Sequence, residues 1–232
     1  MAVSALASEC TVKAPNLEIL RRRISSEEIN AMPIFHYEGP VHLIRSEEDM
    51  NEALPNLRKT DVLGFDTETK PTFRKGQVNQ PSLVQLATES EVYLVQLSWL
   101  PFGTQLAEVL GDSHILKAGV GIRFDMLTLA KLCPFDPQGL VDIGSIAKFN
   151  KFSAQGLRTL AAILFGVRIS KSSQCSNWSL RELSTKQIVY AATDAWIGRM
   201  IYCRMRDLEL NFPRTGEKNA KRRKGDVRAE KE

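Results

Sequence analysis

Five side chains are spaced so that they could do chemistry together, and two of them close an apolar run. The stretch "DVLGFDTETKP" places Asp66 and Glu68 two residues apart where a strand should be ending. Alternate residues of a strand point to the same face, so both carboxylates project side by side. Adjacent carboxylates repel, and one takes up a proton unless a cation lies between them. Such oxygen donors suit Mg²⁺ or Mn²⁺, hard ions that take carboxylates together with water and phosphate oxygens. A bare D-x-E is common and by itself reads as an exposed strand end. Two further features change its weight. "GVGIRFDM" puts Asp125 just past a Gly-rich strand-to-helix turn, and "YAATDAW" puts Tyr190 and Asp194 four residues apart on one helical face. Asp194 stands among Ala191, Ala192, Ala195, Trp196 and Ile197, where a carboxylate needs a partner or a metal ion. Taken singly, Asp125 also reads as an acid at a helix N-terminus and Asp194 as a buried ion-pair partner.

The elements that must position these groups can be read from periodicity. "VHLI" is a short strand, and "SEEDMNEALPNL" opens a helix on Ser46, with Asp49 completing a capping-box variant and a break expected near Pro55. "DVLGFDTET" is a strand, and "PSLVQLAT" and "EVYLVQL" form an antiparallel hairpin around the turn "ESE". After them strands and helices alternate. "TQLAEVLG" is helical, "HILKAGVG" is a strand, and "IRFDMLTLAKLC" is an amphipathic helix. "GLVDIGSIAKF" is a short strand followed by a helix starting near Asp142 or Ser145. "SAQGLRTLAAILFG" is a helix ending at Gly166, and "STKQIVYAATDAWIGRMIYCRMRDLEL" is a long one stopped before Pro213. The order implies an α/β domain with a mixed sheet. The polar loop "FRKGQVNQP", residues 73–81, follows the acidic strand end, the usual place for a site to be assembled.

Bulk properties bound the rest. The 232 residues are 43% hydrophobic and 25% charged, which is enough apolar material for one sizeable core. No apolar run is long enough to span a membrane, and "MAVSALASECTVKAPN" lacks the basic and apolar regions of a secretory leader. Cys10, Cys133, Cys175 and Cys203 are scattered without a C-x-x-C pair, which reads as reduced thiols in a cytoplasmic protein rather than a zinc or redox site. Residues 214–232 hold eight basic and four acidic side chains and therefore carry the whole net charge of +4. That tail has almost nothing apolar to bury and should be disordered, either as a solvated extension or as a contact to nucleic-acid phosphates. The expected organisation is an arm over 1–34, with "LEILRRRISSEEIN" as a short helix or a packed arm. One domain follows over 35–212, and the basic tail over 213–232.

In order along the chain, the set is Asp, Glu, Asp and Tyr-x-x-x-Asp. It resembles the tyrosine-bearing branch of the DEDD superfamily of 3′–5′ exonucleases, most like the Werner-syndrome-type exonuclease domain and ribonuclease D. "FDTET", "VGIRFD" and "YAATDA" match its three motifs, and "GQVNQPSLVQLAT" and "CSNWS" extend the match over roughly residues 35–210. The resemblance implies a ribonuclease H-like fold: a mixed β-sheet flanked by α-helices. It also implies a metal-dependent phosphodiesterase that releases nucleoside 5′-monophosphates from a DNA or RNA 3′ end with two divalent ions, Mg²⁺ or Mn²⁺. By that resemblance Asp66 bridges both ions, Glu68 and Asp194 hold the ion carrying the attacking water, and Asp125 holds the other mainly through water. Tyr190 orients or deprotonates that water. Its ordinary pKa of about 10 favours orientation. Thr67 offers its backbone to the terminal nucleotide, and Lys171 meets a phosphate or else is a solvated loop lysine.

The chain departs from the Werner-type pattern at Leu127, where that branch has an aromatic, and at Gln174, where it has an arginine, so substrate preference does not carry over. Trp178 reads either as a base-stacking surface or as packing, and Trp99 and Trp196 as structural aromatics. His36, His42 and His114 have no ligand spacing. Two alternatives remain at this level: a catalytically silent nucleic-acid-binding module of the same fold, and a phosphodiesterase of short oligonucleotides.

Overall fold

The computed structural model describes residues 17–72 and 79–213. Residues 73–78 of the polar loop, the basic tail beyond Pro213 and Cys10 lie outside the described residues. The arm forms two short helices, α1 (Leu17–Arg21) and α2 (Ser26–Ala31). It restarts because Ser25 and Glu28 make a reciprocal capping box. Strand β1 (Val41–Ile44) leads into α3 (Glu47–Lys59), then β2 (Val62–Thr69), β3 (Pro81–Ala87) and β4 (Val92–Gln96). Helix α4 (Thr104–Gly111), β5 (Leu116–Gly119), α5 (Arg123–Leu129), β6 (Leu140–Asp142), α6 (Ile143–Phe149), α7 (Leu157–Phe165) and α8 (Thr185–Asp207) complete the chain.

The six strands lie in the order β1-β4-β3-β2-β5-β6. Only β3 runs antiparallel to its neighbours, so β1, β4, β2, β5 and β6 all end on one edge of the sheet. That shared edge positions everything that follows. Alternate residues of the central strands feed two cores. Leu83, Ala87, Val92, Leu94 and Ala118 pack under α6, α7 and α8. Leu63, Phe65, Val84, Leu86, Tyr93 and Val95 pack under α3, α4 and α5. Helix α8 covers the middle of its face.

Two boundaries differ from the sequence reading. Helix α3 does not break at Pro55 but runs through it to Lys59. Pro55 lies on the exposed face, where the carbonyl it leaves unbonded can turn to water. Buried Met50, Ala53, Leu54 and Leu57 hold the opposite face. Helix α5 ends at Leu129, four residues short of Cys133, and a tightened turn follows with Lys131 and Leu132 donating three residues back. Pro134 disfavours helical backbone in the residue before it.

Candidate active site

Strand β2 runs through the middle of the sheet, and its first four residues are fully buried. Asp66 and Glu68 follow, half-buried, as the strand reaches the sheet edge. Both share a face with Gly64, the face covered by α8. A Cβ on Gly64 would lie 2.0 Å from the carbonyl oxygen of Ala195, so only glycine lets α8 press this closely on β2. Asp194, the residue before Ala195, is thereby brought close to Asp66 and feels its charge.

Asp125 arrives from the first turn of α5. Thr67, between the two strand acids, ties it in: its hydroxyl donates to Asp125 Oδ1 at 2.9 Å, and its backbone N–H donates to Asp66 Oδ1 at 2.8 Å. That N–H is therefore engaged within the protein. Tyr190, one turn before Asp194 on α8, hydrogen-bonds the Asp194 carboxylate. Its ring packs against Trp178, centroids 5.9 Å apart. Trp178 is only 1% exposed, so it braces Tyr190 and presents no face to a base. Trp196 is likewise buried, against Phe35 and Tyr37. Trp99 is not a core residue: it is 41% exposed. Lys171 is exposed in the loop before α8 and forms no ion pair with the acids among the described residues.

The four acids are held against their own repulsion. Burial, aggravated by Asp125 and opposed by the Thr67 N–H, pushes the Asp66 carboxyl up to about 7. Burial and the charges of Asp66, Asp194 and Asp125 push Glu68 up to about 9. Burial and Asp66 raise Asp194 well above the usual carboxylate range, and burial raises Asp125 despite its bond from Thr67. Burial and the neighbouring acids also raise the Tyr190 phenol, so it stays protonated. Among the described residues no lysine, arginine or histidine pairs with any of the four. Buried carboxylates without cations are stable only if protonated or bound to a metal.

The all-oxygen donor set fits a hard divalent ion. Among the described residues no three His, Cys, Asp or Glu side chains already close around a metal position. An ion here would complete its shell with water and phosphate oxygens, as Mg²⁺ commonly does.

One residue of this site escaped the sequence reading. Gln85 on β3 stands directly across from Asp66, points to the same face and is fully buried. Neither its amide nitrogen nor its amide oxygen finds a partner among the described residues. Its signal was a lone polar residue inside the apolar strand "PSLVQLA".

Comparison with known proteins identifies the family. The 3′–5′ exonuclease family profile matches residues 41–208. The chain is 30% identical over 190 residues to the exonuclease mut-7 homolog of Aedes aegypti, covering 71% of this chain and 26% of that protein. It is 34% identical over 158 residues to the mouse bifunctional 3′–5′ exonuclease/ATP-dependent helicase WRN, covering 66% of this chain and 11% of that protein. Thus it spans about a quarter or less of these two relatives. The Aedes aegypti Nibbler EXO domain superposes with a TM-score of 0.65 at 25% identity, covering 82% of this chain and 92% of that one. The mixed sheet, the flanking helices and the profile match together place this chain in the 3′–5′ exonuclease family of nucleic-acid hydrolases.

Proposed function

We propose that this chain removes nucleoside 5′-monophosphates one at a time from the 3′ end of a nucleic acid, using two divalent ions. The observation that carries this reading is the convergence of Asp66, Glu68, Asp125 and Asp194 at one sheet edge without a cation to neutralise them. Asp66 would serve both ions, Glu68 and Asp194 would hold the one that carries the attacking water, and Asp125 would hold the other, largely through water. Bound ions would neutralise the acids, activate the attacking water and stabilise the leaving oxygen.

The side chains divide the remaining work. Tyr190 donates a hydrogen bond to Asp194, which leaves its phenolic oxygen free to accept from the attacking water and fix its direction. A phenol this strongly held in its neutral form orients rather than deprotonates. Thr67 keeps Asp66 and Asp125 in fixed relation through its two hydrogen bonds. Gln85, buried across from Asp66, holds a free amide behind the acids, where it can turn to donate to the Asp66 carboxylate and hold it in place.

The test is incubation of 3′-labelled single- and double-stranded DNA and RNA with Mg²⁺ or Mn²⁺, with Asp66→Ala as control. A ladder of products shortened from the 3′ end is expected. Binding without a ladder identifies a silent binding module, and activity that fades with length identifies an oligonucleotidase.

A further inference from the structure

The sheet edge that carries the acids also carries a cationic and aromatic surface. Glu68, Leu83 and Gln96 lie in one cross-strand row over β2, β3 and β4. Directly paired residues point to the same face, so Gln96 shares the α8 side with Glu68. Two strand spacings of about 4.8 Å put the two backbones roughly 10 Å apart. Gln96 is buried, and both ends of its amide are bonded. Its Oε1 accepts from Arg45 Nε at 2.5 Å, and its Nε2 donates to the Arg181 carbonyl at 3.1 Å. Trp99 Nε1 donates to the same carbonyl at 2.8 Å.

Arg181 thus serves the fold through its backbone, and its side chain is left over. The guanidinium lies 4.6 Å above the Trp99 ring, exposed, with no carboxylate in ion-pair reach among the described residues. Arg45 flanks the ring at 6.0 Å and pairs with Glu182 at 3.3 Å. Leu180 beside it is 47% exposed. A planar guanidinium matches phosphate oxygens bidentately, and exposed indole and leucine surfaces suit an unstacked base.

We propose that Arg181, with Trp99 and Arg45, is the landing surface for the single strand leading 5′ from the bond being cut. The inference rests on the exonuclease reading, because a chain cut at its 3′ end must leave the acid cleft as a continuous polyanion. It implies that affinity grows with the length of strand bound.

The experiment compares wild type, Arg181→Ala, Arg181→Lys and a remote control, Arg58→Ala, whose side chain pairs with Glu108. Arg181→Ala keeps the carbonyl that Gln96 and Trp99 hold, so its melting temperature should stay within about 2 °C of wild type. Two readouts are taken: fluorescence anisotropy with a labelled strand of about 12 nucleotides across a salt series, and kcat/KM on that strand against a dinucleotide. For Arg181→Ala, the Kd should rise about tenfold and the log–log salt slope should flatten by about one. Its kcat/KM should fall about tenfold on the long strand and less than about twofold on the dinucleotide. Arg181→Lys should keep the salt slope and recover part of the affinity, and Arg58→Ala should match wild type. Unchanged affinity in Arg181→Ala, or a loss of the same size at both lengths, overturns the proposal. If wild type cuts nothing, anisotropy alone decides. Weakened binding in Arg181→Ala then keeps the landing surface while the exonuclease reading falls, and unchanged binding removes both.

Discussion

Asp142 at the end of β6 and Asp66 near the end of β2 stand two strands apart on the same sheet edge. Asp142 caps α6: its Oδ1 accepts from the backbone N–H groups of Gly121, Gly144 and Ser145 at 3.2, 3.0 and 3.3 Å, and its Oδ2 from Ser145 Oγ at 2.8 Å. Asp66 receives one backbone donor, from Thr67, and faces other carboxylates instead. The two differ in how a helix meets the strand end. Helix α6 starts at Asp142 and turns its free N–H groups onto the carboxylate. Helix α8 crosses Asp66 side-on, offers no free N–H, and adds Asp194. One acid is spent on holding the fold, and the other is left short of partners, which is the condition for taking up metal ions.

The sharpest way to break this contrast is Asp66→Ala. Activity should fall about 10³-fold or more on 3′-labelled strands, and Mn²⁺ should raise the melting temperature of wild type but not of the variant. Activity within tenfold of wild type would remove Asp66 from the chemistry. Tyr190→Phe comes next: kcat should drop about 10- to 100-fold with KM nearly constant, since the lost contact is to the attacking water. A rise in KM alone would make Tyr190 a binding or packing residue.

Lys117 tests whether good partners suffice for a buried charge. Its ammonium is fully buried and bonds the carbonyls of Asp112 and Ile115, each at 2.7 Å. Burial still pulls its pKa down to about 8, against a smaller opposing effect of Asp112. Between about pH 8 and the ordinary lysine value the unfolded chain therefore holds more protons, and stability rises with pH in that window. Below it the penalty is fully present. Relative to Lys117→Met, wild type should gain on the order of 3 kcal/mol across that window in denaturant titrations. A flat difference would show that the bonded carbonyls cancel the cost of burial.

Asp142→Ala should cost about 1–2 kcal/mol of stability, while the folded protein stays within about twofold of wild-type activity. Loss of activity without loss of stability would move Asp142 into the site. The smallest effect is expected of Gln85→Leu. Replacing a buried, unpartnered amide with an apolar group of similar size should stabilise the metal-free protein by about 1 kcal/mol and slow turnover. Slower turnover without added stability would mean the amide is already paired through water.

The acids were legible as an ordered set resembling the motifs of a known family, and each motif has a local spacing. The i, i+2 pair, the helix-start aspartate and the Tyr-x-x-x-Asp turn each follow from the period of one element. Pro55 misled because the cost of a proline depends on which face it occupies, and that face is set by packing against α4 and the sheet. Trp178 was ambiguous for the same reason: local sequence does not say that its ring lies under Tyr190. Gln85 carried a visible anomaly, a polar residue within an apolar strand, but its position opposite Asp66 depends on register with a strand some twenty residues away.

The sequence by itself determined the element order, the cap of α3 at Ser46, the hairpin of β3 and β4, and the identity of the four acids and the tyrosine. These follow from hydrophobic period, capping chemistry and motif spacing, all of which act within a few residues. Only the tertiary structure decided which groups share an edge. Cross-strand register set Glu68, Leu83 and Gln96 in one row, and the close approach of α8 at Gly64 set Asp194 against Asp66. Long-range pairing is fixed by which faces must be buried together, and no single stretch of chain carries that information.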